Sequence, residues 1–175
     1  MTKLPPKPPG GLPPRPGPQR PKPPGGLPPR SPSGSPASRY QHLLIDGERF
    51  FAAKDYETAF SIYSQALKEA PIGDGRAVTE LCRCYRKKAR KAFQAEDFAS
   101  AVSLLTEMLD LPQMHPKALD YKVLGESWLE LGELAKARQA LEQAVALKPE
   151  LAVETRRLFQ RLKTEELSQQ MEGLH

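Results

Sequence analysis

Residues 40–168 of this 175-residue chain predict an all-α fold: a short solenoid of three helical hairpins, a closing helix after them, and an unfolded proline-rich tail before them. Three observations carry that prediction. From Tyr40 onward apolar residues recur at i, i+3, i+4 and i+7 with turn residues between the runs, the period of one helix face. "GERFFAAKDYETAFSIYSQALKEAP" at 47–71 aligns without a gap with "GESWLELGELAKARQALEQAVALKP" at 125–149, and self-similarity at such a spacing marks a repeat architecture. The composition also breaks near Arg39: 15 of the 19 prolines precede Tyr40.

The tail, residues 1–39, holds seven basic residues and no acidic one, which leaves 19 basic against 21 acidic residues for the rest. The net charge of +5 is therefore a tail at +7 joined to a body at −2. With almost nothing apolar to bury, the tail cannot offset the entropy of ordering and is expected to stay unfolded. It spells "PKPPGGLPPR" twice, at 6–15 and 21–30. Proline at this density favours extended polyproline II, a form presented at low entropic cost to aromatic-lined grooves. In "RPGPQRP" the spacing of Arg15, Pro18 and Pro21 suits a polyproline-binding domain, so the tail is read as a docking strand or a spacer.

In the body, Gly47 and Gly125 are followed three residues later by an aromatic, Phe50 or Trp128. Twelve residues after each glycine comes an alanine, Ala59 or Ala137, then a second, Ala66 or Ala144, and Pro71 or Pro149 closes the unit. Small residues at matched positions let paired helices approach closely, and proline stops the second helix. "ARKAFQAEDFASAVSLLTEMLDLP" at 89–112 fits more loosely, with Ala89 for the glycine, Ala92 for the aromatic and Met108 for the second alanine. Asp55 and Asp97 stand where each second helix needs an N-cap. At these residues the chain resembles the tetratricopeptide repeat (TPR) family. Units are expected at about 40–75, 76–116 and 117–149, the first interval carrying an insert, "PIGDG", that leads into a longer next helix. "ELAVETRRLFQRLKTEEL" puts Leu151, Leu158, Phe159 and Leu162 on one face, so 150–168 is read as the cap that such arrays need, with 169–175 flexible.

Catalytic chemistry finds little support. His42, His115 and His175 have no ligand partners at metal-site spacing, and no P-loop, G-x-S-x-G or H-E-x-x-H motif occurs. Cys82 and Cys84 stand at i, i+2, which argues against a mutual disulfide and a CxxC site, and Cys82 is expected in the core. Glu126 and Glu130 alone are weak evidence for acid–base work. No enzyme activity, metal or cofactor is expected. With no secretory h-region and no apolar run of about 20 residues, the expected setting is cytoplasmic.

Binding is the better supported role. "CRCYRKKARK" has six bases in ten residues, and at 100° per residue Arg83, Arg86, Lys87 and Arg90 form one stripe. The resemblance implies a concave groove lined by the first helix of each unit, which places Arg83, Arg86, Lys87, Arg90, Phe93 and Gln94 at its centre. The same positions give Gln41, Leu44, Ile45, Glu48, Phe51 and Ala52 in the first unit, and Leu119, Lys122, Val123, Glu126, Leu129 and Glu130 in the third. A groove apolar at one end and basic in the middle suits a protein partner with an acidic or amphipathic segment. Some relatives clamp chaperone C-termini with polar residues where this chain has Leu44, Glu48, Lys87, Leu119 and Val123; only Lys87 has a fitting charge, so no such clamp is expected. The alternative, an RNA- or anionic-membrane-surface-binding protein, draws on the basic tail and stripe. The absence of tail aromatics for base stacking and the acidic body argue against nucleic acid.

Overall fold

Seven helices account for most of residues 36–172, the part of the chain that the computed structural model describes. They are α1 (Pro36–Ala52), α2 (Tyr56–Lys68), α3 (Arg76–Gln94), α4 (Phe98–Leu109), α5 (Ala118–Glu130), α6 (Leu134–Leu147) and α7 (Leu151–Glu172), with no strand among the described residues. The proline-rich phrase and the docking residues Arg15, Pro18 and Pro21 lie outside them. The helices extend past 40–168 at both ends. Proline is favoured in the first helical turn, where its missing N–H costs nothing and its φ is already set, which suits Pro36, the first described residue of α1. At the other end no glycine or proline interrupts the sequence from Glu150 to Glu172, and α7 runs through 169–172.

Each pair α1/α2, α3/α4 and α5/α6 turns on the same backbone device. The N–H of Asp55, Asp97 and Glu133 donates to the carbonyls of Phe50, Ala92 and Trp128, while that of Lys54, Glu96 and Gly132 donates to Phe51, Phe93 and Leu129. This double bond pattern is a Schellman C-cap, which requires a left-handed residue. Lys54, Glu96 and Gly132 supply it at φ 63°, 59° and 75°. One residue on, Asp55 and Asp97 accept the N–H of Thr58 and Ser100 at 3.1 Å and cap α2 and α4. Glu133 makes no such bond at the start of α6. The capping bonds to the Thr58 and Ser100 side chains and backbone hold both aspartates below the usual carboxylate range.

The matched small residues mark the closest helix contacts. Gly47 lies against the Tyr63 ring, where a Cβ would collide with it; at Gly125 a Cβ would stand 2.8 Å from Leu141 Cγ. Ala59, Ala66, Ala101, Ala137 and Ala144 are fully buried. The main core runs through the middle of the stack, from Ala59 and Tyr63 through Leu81, Cys84, Tyr85 and Leu105 to Leu124 and Ala140. Trp128 touches both this core and a second cluster of Leu129, Leu134, Ala137, Leu141 and Leu162, which α7 completes with Leu158 and Phe159.

Every helix packs on its neighbour in sequence, and α3 also packs directly on α5, and α5 on α7. The even helices α2, α4 and α6 make no comparable contact with one another. The odd helices therefore form the inner, tighter side of a curved stack. On α3 the face toward the hollow lies between Arg83, which reaches Glu48 of α1, and Arg86, which reaches Asp120 of α5.

Candidate functional site

Among the described helices α3 has the most strongly divided sequence. Leu81, Cys82, Cys84, Tyr85 and Ala89 are buried, and the cations fill the face between them. Its 19 residues against 13 for α5 reflect the start at Arg76, where Asp74 accepts both the Arg76 N–H and its guanidinium. That pairing holds Asp74 well below the usual carboxylate range.

The basic stripe divides in two. Arg83 donates to Glu48 of α1 at 3.0 Å and to Glu80 of its own helix, and its guanidinium lies 4.2 Å from the Phe51 ring centre. Arg86 binds the Asp120 carboxylate of α5 through two nitrogens, Nε at 2.8 Å and Nη2 at 2.9 Å. Asp120 is 5% exposed and also accepts the Lys117 N–H at 2.9 Å, so its lone pairs are satisfied. Lys87 and Arg90 are exposed and have no ion-pair partner among the described residues. Arg83 and Arg86 fasten the inner layer, while Lys87 and Arg90 keep their charge for solvent or a ligand.

Ion pairing continues along the inner layer. Lys122 of α5 lies 3.4 Å from Glu154 of α7 and 3.8 Å from Glu126, and Arg161 of α7 pairs with Glu130 and Glu165. Lys122 is thus held by acids, and α7 crosses the third-unit end of the hollow. Leu129, expected to line the groove, is instead buried against α7 and α6 at 2% exposure. Phe93 is half-buried, packed edge-on against Phe98 at 5.5 Å within the hairpin, and Gln94 is exposed at the end of α3.

Between α3 and α5 the inner face opens into a cleft of about 200 Å³. Ala89, Leu105, Leu119 and Val123 supply its apolar wall, and the Arg86–Asp120 pair, Arg90 and Lys117 its polar wall. Lys117 has no ion-pair partner among the described residues and is exposed. Sequence reasoning missed both Asp120 and Lys117. The available signal was an acid at the third position of a helix whose first N–H groups need an acceptor; its pairing with Arg86, 34 residues away, left no local trace.

The described residues include no group of three or more potential metal ligands. Burial pushes the Cys84 thiol up to about 12 and raises that of Cys82, so neither supplies a thiolate nucleophile near neutral pH. No helix among them is long and apolar enough to cross a membrane.

No family model matches the sequence, and no curated protein does. Solved structures do. The C-terminal TPR-containing domain of a Plasmodium falciparum protein described as FK506-binding superposes with a TM-score of 0.53 at 16% identity, over 79% of this chain and 97% of that one. The fold is that of the tetratricopeptide repeat. Two further TPR domains are more distant in shape. The first TPR domain of human RPAP3 gives a TM-score of 0.45 at 23% identity over 77% of this chain and 99% of that one. The first TPR of Spaghetti (RPAP3), solved bound to the HSP90 peptide SRMEEVD, gives 0.44 at 22% identity over 71% and 94%. In TPR terms α1/α2, α3/α4 and α5/α6 are the three hairpins and α7 the helix packed on the last of them.

Proposed function

We propose that this protein is a non-catalytic, cytoplasmic interaction adaptor whose TPR inner face binds an acidic or amphipathic segment of a protein partner. The supporting observation is the division of the α3 stripe: among the described residues Lys87 and Arg90 have no ion-pair partner, whereas Arg83 and Arg86 on the same face, and Lys122 on α5, are held by acids. Unpaired cations at the centre of a concave surface raise the local concentration of an anionic ligand and add charge-assisted hydrogen bonds once it docks. Arg83, Arg86 and Lys122 act indirectly in this reading, by fixing the helices that present the free pair. Phe93 and Gln94 border it at the end of α3. The tail serves as a second docking site, through Arg15, Pro18 and Pro21, or as a spacer.

Affinity capture with the full chain from a nuclease-treated lysate, read by mass spectrometry, tests the reading. A Lys87→Glu/Arg90→Glu variant with an unchanged melting curve should lose its protein partners, and Pro18→Ala/Pro21→Ala should lose only those that use the tail. Capture unaffected by the double charge reversal overturns the groove assignment. Partners that vanish on nuclease treatment, or liposomes of anionic lipid retained in a salt-sensitive way, favour the surface-electrostatic alternative.

A further inference from the structure

The α3–α5 cleft specifies more than negative charge. Its volume of about 200 Å³ lies below the range of about 300–1,000 Å³ usual for small-molecule sites. An apolar cavity of about 150 Å³ is enough for one benzene ring. The space therefore fits a single side chain of leucine or phenylalanine size. Leu119 is 48% exposed beside it, a large apolar residue left facing the hollow. Among the described residues, Arg90 and Lys117 beside that apolar wall have no ion-pair partner, whereas Asp120, the one acid lining the cleft, is paired with Arg86 and also accepts the Lys117 N–H. Among the described residues, an incoming carboxylate at the cleft meets two free cations and no free acid.

Resting on the adaptor reading above, we propose that the cleft receives one leucine- or phenylalanine-sized side chain of a protein segment that carries carboxylates on both sides of it. The Arg90 and Lys117 side chains take the flanking carboxylates, and Ala89, Leu105, Leu119 and Val123 enclose the apolar group. The protein's own N-terminal tail is excluded as the occupant by its charge, since residues 1–35 hold six bases and no acid. The occupant is a partner's segment with an acid–apolar–acid pattern.

Blocked, fluorescently labelled heptapeptides Gly-Glu-Glu-X-Glu-Glu-Gly, with X as Leu, Phe, Ser or Lys, supply the probes for anisotropy titrations against the full chain. Leu and Phe probes should bind about tenfold more tightly than the Ser probe, the factor expected from burying one such side chain only in part. Leu119→Ser, an exposed substitution that leaves the core intact, should remove that preference while keeping the weaker binding common to all acidic probes. Arg90→Glu/Lys117→Glu should abolish binding of every probe. Equal affinity for the Leu and Ser probes overturns the cleft assignment and leaves the adaptor reading standing. No binding of any acidic probe overturns both. Concentration-dependent self-association in sedimentation that Leu119→Ser abolishes would place a second copy in the cleft and also overturn the proposal.

Discussion

Arg83 and Arg86, and next to them Lys87 and Arg90, stand on one face of α3 and in sequence are four equivalent cations. Arg83 and Arg86 join α3 to α1 and α5; Lys87 and Arg90 touch nothing charged among the described residues. The difference separates two uses of charge. A cation held by an acid of another helix fixes helix geometry and offers little to a ligand, most of all where that acid is buried as Asp120 is, whereas an exposed, unpaired one adds little stability and keeps its full affinity for an anion.

The sharpest break in that comparison is Arg86→Ala, which leaves Asp120 charged and buried beside α3 without its guanidinium. A loss of about 3 kcal/mol is expected in urea unfolding, and adding Asp120→Asn to that variant should restore part of it. Arg83→Ala should cost about 1 kcal/mol, because its ion pairs are partly solvated and its contact with Phe51 is a single cation–π stack. A pH titration sharpens the comparison from the acid side. Burial, with Glu130 and Glu154 nearby and Lys122 opposing them, raises Glu126 above the usual glutamate range. A carboxyl whose folded pKa is raised favours folding most while protonated, and that contribution is lost as pH rises through the folded value. Glu126→Gln should therefore be more stable than the parent at neutral pH, and the gain should disappear below about pH 4, where both states are protonated. The smallest stability change belongs to Lys87→Ala and Arg90→Ala. Each should leave the unfolding free energy within about 0.5 kcal/mol of the parent, although capture of an acidic partner falls. A large stability loss in either would mean that the stripe is structural throughout.

The turns present a second contrast, and here the sequence was easier to read. Asp55 and Asp97 could be named as N-caps because a cap is a local requirement, set by the first N–H groups of the next helix. The left-handed residues ahead of them could not, since Lys54 and Glu96 are poor choices for positive φ and only Gly132 matches that geometry. Closing a Schellman motif imposed the conformation on them. Leu129 was misplaced in the groove for a related reason: its register matches Phe93 and Phe51, but α7 covers that end of the stack and buries it.

Composition, apolar period and the self-match between 47–71 and 125–149 were enough to determine an all-α repeat fold, its hairpins, the close contacts at Gly47 and Gly125 and the basic face of α3. All of these follow from residues near one another along the chain or at one fixed repeat spacing. Which cations are free, where α7 closes the hollow and where the α3–α5 cleft opens were decided only by the tertiary structure. Each depends on an acid or an apolar wall about thirty residues away in sequence, such as Asp120 for Arg86, Glu154 for Lys122 or Leu119 beside Arg90. Charge pairing acts through space, and only stacking of the inner helices brings those groups within hydrogen-bond distance.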